Sequence, residues 1–305
     1  MLAVAVAAAQ SMYVHKTDGN VYEFKVSDVD SINFAASTTD DYLYTVTYMP
    51  NGTVGDMIID TVRYGNYTFR EQLYVKEWNT RADGSGAGFT PKETIPLTRN
   101  LILYAILLDG YGVENGYYYV DLGLPSGLKW AICNVGAATP KEAGNYYAWG
   151  ETKPKTTYSW STYKWCKRSE STLTKYNTSS DYGTVDNKTV LDLEDDAAAV
   201  NWGGQWRMPT DAEWRELLTN CTWTKTSSGN IVTGPNGNYI TLPCGGDFMD
   251  DKCYNSGRYG YYWSSNLYGG NNSYTLYFYS SAASNTPTLT SNSRRYGCNV
   301  RGVCK

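Results

Sequence analysis

"DDAAAVNWGGQWRMPTDAEWRELL" occupies residues 195–218 and holds the strongest helix signal of the chain. Thr210 and Glu213 form a T-x-x-E capping box, in which the hydroxyl accepts from the third helical amide and the carboxylate reaches back to the cap. Trp214, Leu217, Leu218 and Cys221 follow at i, i+3, i+4 and i+7, which puts them on one apolar face. A second, shorter helix is predicted over residues 193–202. Glu194, Asp195 and Asp196 would then sit in its first turn, where the helix dipole favours them. The sequence around these two helices predicts short strands and many loops.

The chain has 305 residues, enough for two or three domains with their own cores. Hydrophobic residues make up 42% and charged residues 18%, with a net charge of −4 and scattered basic residues. Nucleic acid is therefore excluded as the main partner, since phosphate binding needs concentrated Lys and Arg. The anomaly is aromatic: 29 tyrosines and 10 tryptophans against 6 phenylalanines. That bias suits half-exposed, hydrogen-bonding surface. Seven cysteines, at 133, 166, 221, 244, 253, 298 and 304, fit an oxidising compartment and leave at least one unpaired. There is no CxxC pair and the single histidine is His15, so neither a structural zinc site nor a Ser-His-Asp triad is expected. No catalytic residue, metal or cofactor is assigned.

Residues 1–11 read as the tail of a secretory signal, with Ala7-Ala8-Ala9 matching a small-residue cleavage pattern. Residues 12–41 hold a predicted hairpin turning at Asp18-Gly19, then a capping Ser27 and a strand through Ile32 and Phe34. Such a hairpin cannot stand alone. Residues 42–108 form a β-rich unit: "YLYTVTYM" alternates at period two, Pro50-Asn51-Gly52 turns the chain, and "LILYAILL" closes it as a buried strand. Trp78-Asn79-Thr80, Asp83-Gly84-Ser85-Gly86 and "IPLTRNLILYA" make this unit resemble the Listeria–Bacteroides repeat of the internalin B type. The resemblance implies a small β-grasp-like spacer or interaction module of bacterial surface proteins, with Trp78 as a core plug. Residues 109–116 read as a linker into the last domain, 117–305.

That domain resembles the C-type-lectin-like fold, and within it the major-paralogous type of Bacteroidetes and Fibrobacter surface proteins. The matching pieces run in order: "YVDLGLPSGLKWAICNVGA" (119–137), "GNYYAWGET" (144–152), the opening stretch, "GYYWSS" (260–265) and "GCNVRGVC" (297–304). Gly302, where the pattern usually carries Pro, and "LPCGG" at 242–246 depart from it. The resemblance implies an α+β fold with two helices, a small antiparallel sheet and long loops. It makes Trp206, Trp214, Trp263 and Arg301 framework residues. The "WRMPTDAEW" element is shared with formylglycine-generating-enzyme-like domains, whose chemistry would need a reactive cysteine pair. Cys298 and Cys304 come nearest, but their spacing matches no catalytic motif, and Cys304 reads as a structural staple, with Cys133 a candidate partner.

"YNSGRYGYYWSSNLYGGNNSYTLYFYSS", residues 254–281, has the composition of antibody binding loops, where Tyr supplies contact area and Ser, Gly and Asn supply adaptable hydrogen bonds. The candidate ligand-binding face is Tyr254, Asn255, Tyr259, Asn266, Tyr268, Asn271, Asn272, Tyr274, Tyr277 and Tyr279, with Asn292, Arg294, Tyr296 and Asn299. The competing reading is an amphipathic strand whose tyrosines pack on their neighbours. Some relatives of this fold are variable proteins of diversity-generating retroelements, and residues 253–299 interleave Asn, Tyr and Ser with fixed-looking framework in that manner. Asp247, Asp250 and Asp251 read as a solvated loop. No calcium-lectin triplet occurs. The expected role is a secreted or cell-surface, adhesin-like protein that binds a protein or glycan. The alternative is a structural subunit of a surface appendage, docking through its N-terminal module.

Overall fold

The computed structural model describes residues 11–15, 19–25, 43–280 and 286–305. The apolar run at 1–10, the turn residues Thr17 and Asp18, and Ser27, Ile32 and Phe34 lie outside the described residues. Among the described residues the fold is predominantly β, built from several small sheets with two α-helices. No helix among the described residues is long and apolar enough to cross a membrane.

Strand β1 (Ser11–His15) pairs antiparallel with β2 (Val21–Lys25) as the predicted hairpin, with Tyr13, Val14, Val21, Tyr22 and Phe24 exposed. The next unit comprises β3 (Leu43–Met49), β4 (Ile58–Arg63), β5 (Gly65–Thr68), β6 (Val75–Asn79), β7 (Gly88–Phe89), β8 (Thr94–Leu97) and β9 (Leu101–Leu107). Five of these form one sheet in the order β4-β3-β9-β6-β7, with β3 and β9 parallel, and β5 pairs with β8 in a separate ribbon. Alternation sends Val46 and Tyr48 from β3, and Leu101, Leu103 and Ala105 from β9, into one core with Trp78, Tyr67 and Phe69. Trp78 is the expected plug: its ring meets Tyr48 edge-on at 4.5 Å and its Nε1 donates to the Arg70 carbonyl at 2.7 Å. Asn79 shapes the following loop, its Oδ1 accepting from the Arg81 and Gly86 amides. The closing strand is buried on one face only. Ile102 of β9 is exposed, because nothing among the described residues covers that side of the sheet.

Residues 109–116 differ from expectation. They are not a linker: Tyr111–Glu114 is strand β10, paired with β11 (Tyr117–Asp121). β11 pairs with β12 (Lys129–Asn134), and β12 with the last strand of the chain, Arg301–Cys304. Both ends of the C-terminal unit therefore meet in one four-stranded sheet. The junction with the preceding unit is packed. Tyr74 stacks on Tyr111 at 5.2 Å and lies 5.1 Å from the Tyr118 ring, while the Leu108 amide donates to the Tyr74 carbonyl at 2.8 Å. Tyr74 has φ 64°, a left-handed conformation that a bulky side chain adopts only when its surroundings hold it there.

Helix α1 (Ala197–Trp202) starts later than expected. Residues Leu193–Asp195 form a 3₁₀ turn, Asp196 is the cap, and Asp195 is buried against Lys164 and Lys175 instead of decorating a first turn. Helix α2 (Asp211–Asn220) carries the predicted capping box, and Trp214 and Leu217 are buried as its periodicity required. Then come β13 (Thr222–Lys225), β14 (Gly229–Thr233) and β15 (Tyr239–Pro243) as one sheet, and β16 (Asp247–Met249) with β17 (Lys252–Tyr254) as a ribbon. β18 (Tyr259–Gly269), β19 (Asn272–Tyr279) and β20 (Thr288–Ser293) form a third sheet, and β21 is Arg301–Cys304.

The framework residues sit where expected. Trp206, Trp214, Trp263 and Arg301 are buried, and three indole N–H groups find carbonyls: Trp206 on Glu114, Trp214 on Trp263 and Trp263 on Tyr147. Arg301 donates to Asn134 Oδ1 and to the carbonyls of Ala131, Ile132 and Thr241, tying β12 to β15 without a carboxylate partner. Gly302 has a local reason. A Cβ there would lie 2.5 Å from the Trp202 ring and 3.0 Å from Trp206. All seven cysteines are free, so the staple between Cys304 and Cys133 is absent. Cys133 packs toward the core of Trp130 and Trp214, Cys304 toward that of Trp206 and Trp263.

Candidate functional site

The third sheet decides where the tyrosines go. In β19 the parity of Leu276 and Phe278 faces the core with Tyr262 and Trp214, so Tyr277 and Tyr279 lie on the other face, which is half-open here and closes into a second core farther along at Trp263, Ser273 and Thr275. The register sets Tyr259 opposite Tyr279 and Tyr261 opposite Tyr277, which brings four phenols onto one face. Their rings touch: Tyr259 and Tyr279 at 4.6 Å, Tyr277 and Tyr279 at 4.9 Å, Tyr261 and Tyr277 at 5.0 Å, Tyr259 and Tyr277 at 5.8 Å. All four are half-buried, and Thr288 and Thr290 extend the same face onto β20. Desolvation pushes the Tyr261 and Tyr277 phenols above their ordinary range. They remain neutral donors and acceptors.

The fourteen predicted residues do not form a single face. Tyr259, Tyr277 and Tyr279 belong to this platform, and Tyr254 and Asn255 lie exposed on the chain leading into it. Asn292 stands on the same side and donates to the Cys298 sulfur at 3.6 Å, while the Tyr296 ring carries the Arg295 guanidinium at 5.0 Å. Tyr268 and Tyr274 form a separate pair. Tyr274 shares the parity of Leu276, so it lies on the opposite side of the sheet, 5.0 Å from Tyr268 and under Arg215 of α2. At the hairpin tip Asn271 donates to Glu170 Oε2 at 3.0 Å, and Asn272 pairs with Ser293. Asn266 accepts from the Asp211 amide at 3.2 Å, at the start of α2.

Two residues correct the expectation outright. Arg294 and Asn299 are 0% exposed. Arg294 donates to the carbonyls of Tyr176 and Lys175 and stacks 5.6 Å from both Trp149 and Tyr163. Asn299 donates to the carbonyls of Ala143 and Asn145. Arg294 Nε and Asn299 Oδ1 have no hydrogen-bond partner, but the Arg294 Nη groups and the Asn299 amide nitrogen hold loops from the inside. Asp247 moves the other way. It was expected in a solvated loop, yet it is 4% exposed in β16, and its Oδ1 has no hydrogen-bond partner. Burial pushes its carboxyl up, against the pull of the Asn255 and Asn292 side chains. Asp250 and Asp251 are exposed as expected.

Sequence reasoning missed Tyr261, placed among the fixed residues of "GYYWSS". Its signal was available, since Tyr259 and Tyr261 share parity in a strand. Among the described residues the carboxylates placed as metal donors are Asp192, Glu194 and Asp195, and Lys175 pairs with all three. Burial raises all seven thiols above the ordinary range, Cys298 well above it, so none is held as a thiolate. Compared with known proteins, the chain matches no family model, no curated protein and no solved structure.

Proposed function

We propose that the chain is an adhesin-like, secreted or cell-surface protein that binds a protein or glycan through the outward face of β18 and β19. The observation that carries this is the packed, half-open set of Tyr259, Tyr261, Tyr277 and Tyr279 over a sheet whose other face is core. Aromatic anchors on a rigid support are what binding surfaces use. A C-type-lectin-like framework is supported by the order of the elements, the buried tryptophans and the meeting of the first and last strands of the C-terminal unit in one sheet. The parallel β3–β9 pair supports a β-grasp-like reading of the preceding unit. The raised thiols weigh against a cysteine-based enzyme.

If a retroelement diversifies this face, its variable positions belong to the exposed set and exclude Arg294, Cys298 and Asn299. Sequencing the genomic locus for a near-identical, adenine-differing copy of the codons for residues 253–304 tests that. The binding reading is tested by screening protein and glycan arrays with the wild type and a Tyr259→Ser/Tyr277→Ser double variant. Hits lost in the variant at unchanged melting temperature support the platform. Hits that persist there, or that vanish with Tyr268→Ala/Tyr274→Ala instead, move the site elsewhere.

A further inference from the structure

We propose that the ligand's anchoring group is a cationic nitrogen, the guanidinium or ammonium of a basic side chain on a protein partner, received by the tyrosine platform with Asp247 as its counter-charge. This rests on the reading of the platform as the binding face. Backbone geometry places the carboxylate there: Gly246 bridges Gly260 in parallel, and its amide donates to the Tyr259 carbonyl at 2.8 Å. The next residues of the two segments, Asp247 and Tyr261, therefore stand side by side on one face. Asp247 is 4% exposed with an unpartnered Oδ1, and no lysine or arginine pairs with it among the described residues.

A buried carboxylate without a counter-charge is costly, and a cation with N–H donors relieves it more than a neutral hydroxyl does. Aromatic faces attract the same group through their quadrupole. The platform already shows this taste at its rim, where the Arg258 guanidinium lies 5.9 Å from the Tyr259 ring. Asn255, exposed at φ 61°, and Asn292 flank the carboxylate and are the side chains a ligand would displace. An anionic group, such as a sulfated or sialylated sugar, meets Asp247 with the wrong sign.

The test is an NMR titration of the full chain with ring-labelled tyrosine. The probes are N-acetyl-arginine methylamide, its neutral isostere N-acetyl-citrulline methylamide, and methyl mannoside. The expected result is that arginine shifts the Tyr259, Tyr261, Tyr277 and Tyr279 resonances, at least tenfold more tightly than citrulline, and that Asp247→Asn removes the difference. Equal binding of arginine and citrulline, or no arginine binding, overturns the proposal, and that comparison needs only the wild type. Methyl mannoside shifting the same tyrosines without arginine doing so overturns the cation and leaves the platform standing. Arginine shifts confined to other tyrosines overturn both.

Discussion

At the scale of single residues, three ionisable groups set measurable behaviour. Burial pushes the Asp196 carboxyl up to about 6, although the Ala199, Met208 and Ala198 amides pull it down. The native state then holds this proton more tightly than an unfolded chain with the ordinary value of 3.8. Stability from this group therefore falls as pH rises from about 4 to 6 and stays low above that. Wild type minus Asp196→Asn should change by roughly 2 kcal/mol between pH 4 and 7 in urea titrations. A flat difference would count against it. Asp192 works in the opposite sense: Lys175 and Lys188 hold it at about 2, so its contribution is present above 3.8 and lost as pH falls toward 2. Arg301 is a geometric case. Its fork reaches four acceptors, and Arg301→Lys cannot replace it; a loss of about 2–4 kcal/mol is expected, because the freed carbonyls stay buried. A near-neutral Lys would show that β12 and β15 do not depend on it.

Helix α2 and the third sheet carry the predictions that belong to elements. Thr210→Ala removes one half of the capping box and should cost about 1 kcal/mol. Trp214→Ala on the same helix removes a fully buried indole and should cost about 3–5 kcal/mol. Tyr268→Ala, at 57% exposure, should stay within about 0.5 kcal/mol. If the Tyr268 change proved as damaging as Trp214→Ala in thermal unfolding, the hairpin tip would be core. Elements governed by local rules were legible. The capping box, the i, i+3, i+4 face, the hairpin and the period-two strand at 43–49 all appear where the pattern put them. The split of the tyrosines between two faces was also present in principle, as parity. What obscured it was the bulged run between Trp263 and Gly269, which no local pattern announces.

For the whole molecule, the junction between the repeat-like unit and the C-terminal unit is the feature to test. Tyr74, held at φ 64°, packs its ring against both Tyr111 and Tyr118, and the Val54 amide donates to the Tyr118 hydroxyl at 3.1 Å. Residues 43–280 and 286–305 should then unfold in one calorimetric transition, and Tyr74→Ala should split it in two. Two transitions in the wild type would make the junction a hinge.

The sequence by itself determined the punctuation of this chain, its two helices and the existence of a tyrosine-rich surface. Those follow from periodicity, capping and composition, which act within a few residues. Only the tertiary structure decided which aromatic residues share a face, that Arg294 and Asn299 are buried, that Asp247 is buried with an unpartnered Oδ1, and that Tyr111–Glu114 is a strand. Each of these depends on strand register or on contacts between distant segments. Register couples residues through the core, where a polar group is stable only if another part of the chain arrives to satisfy it.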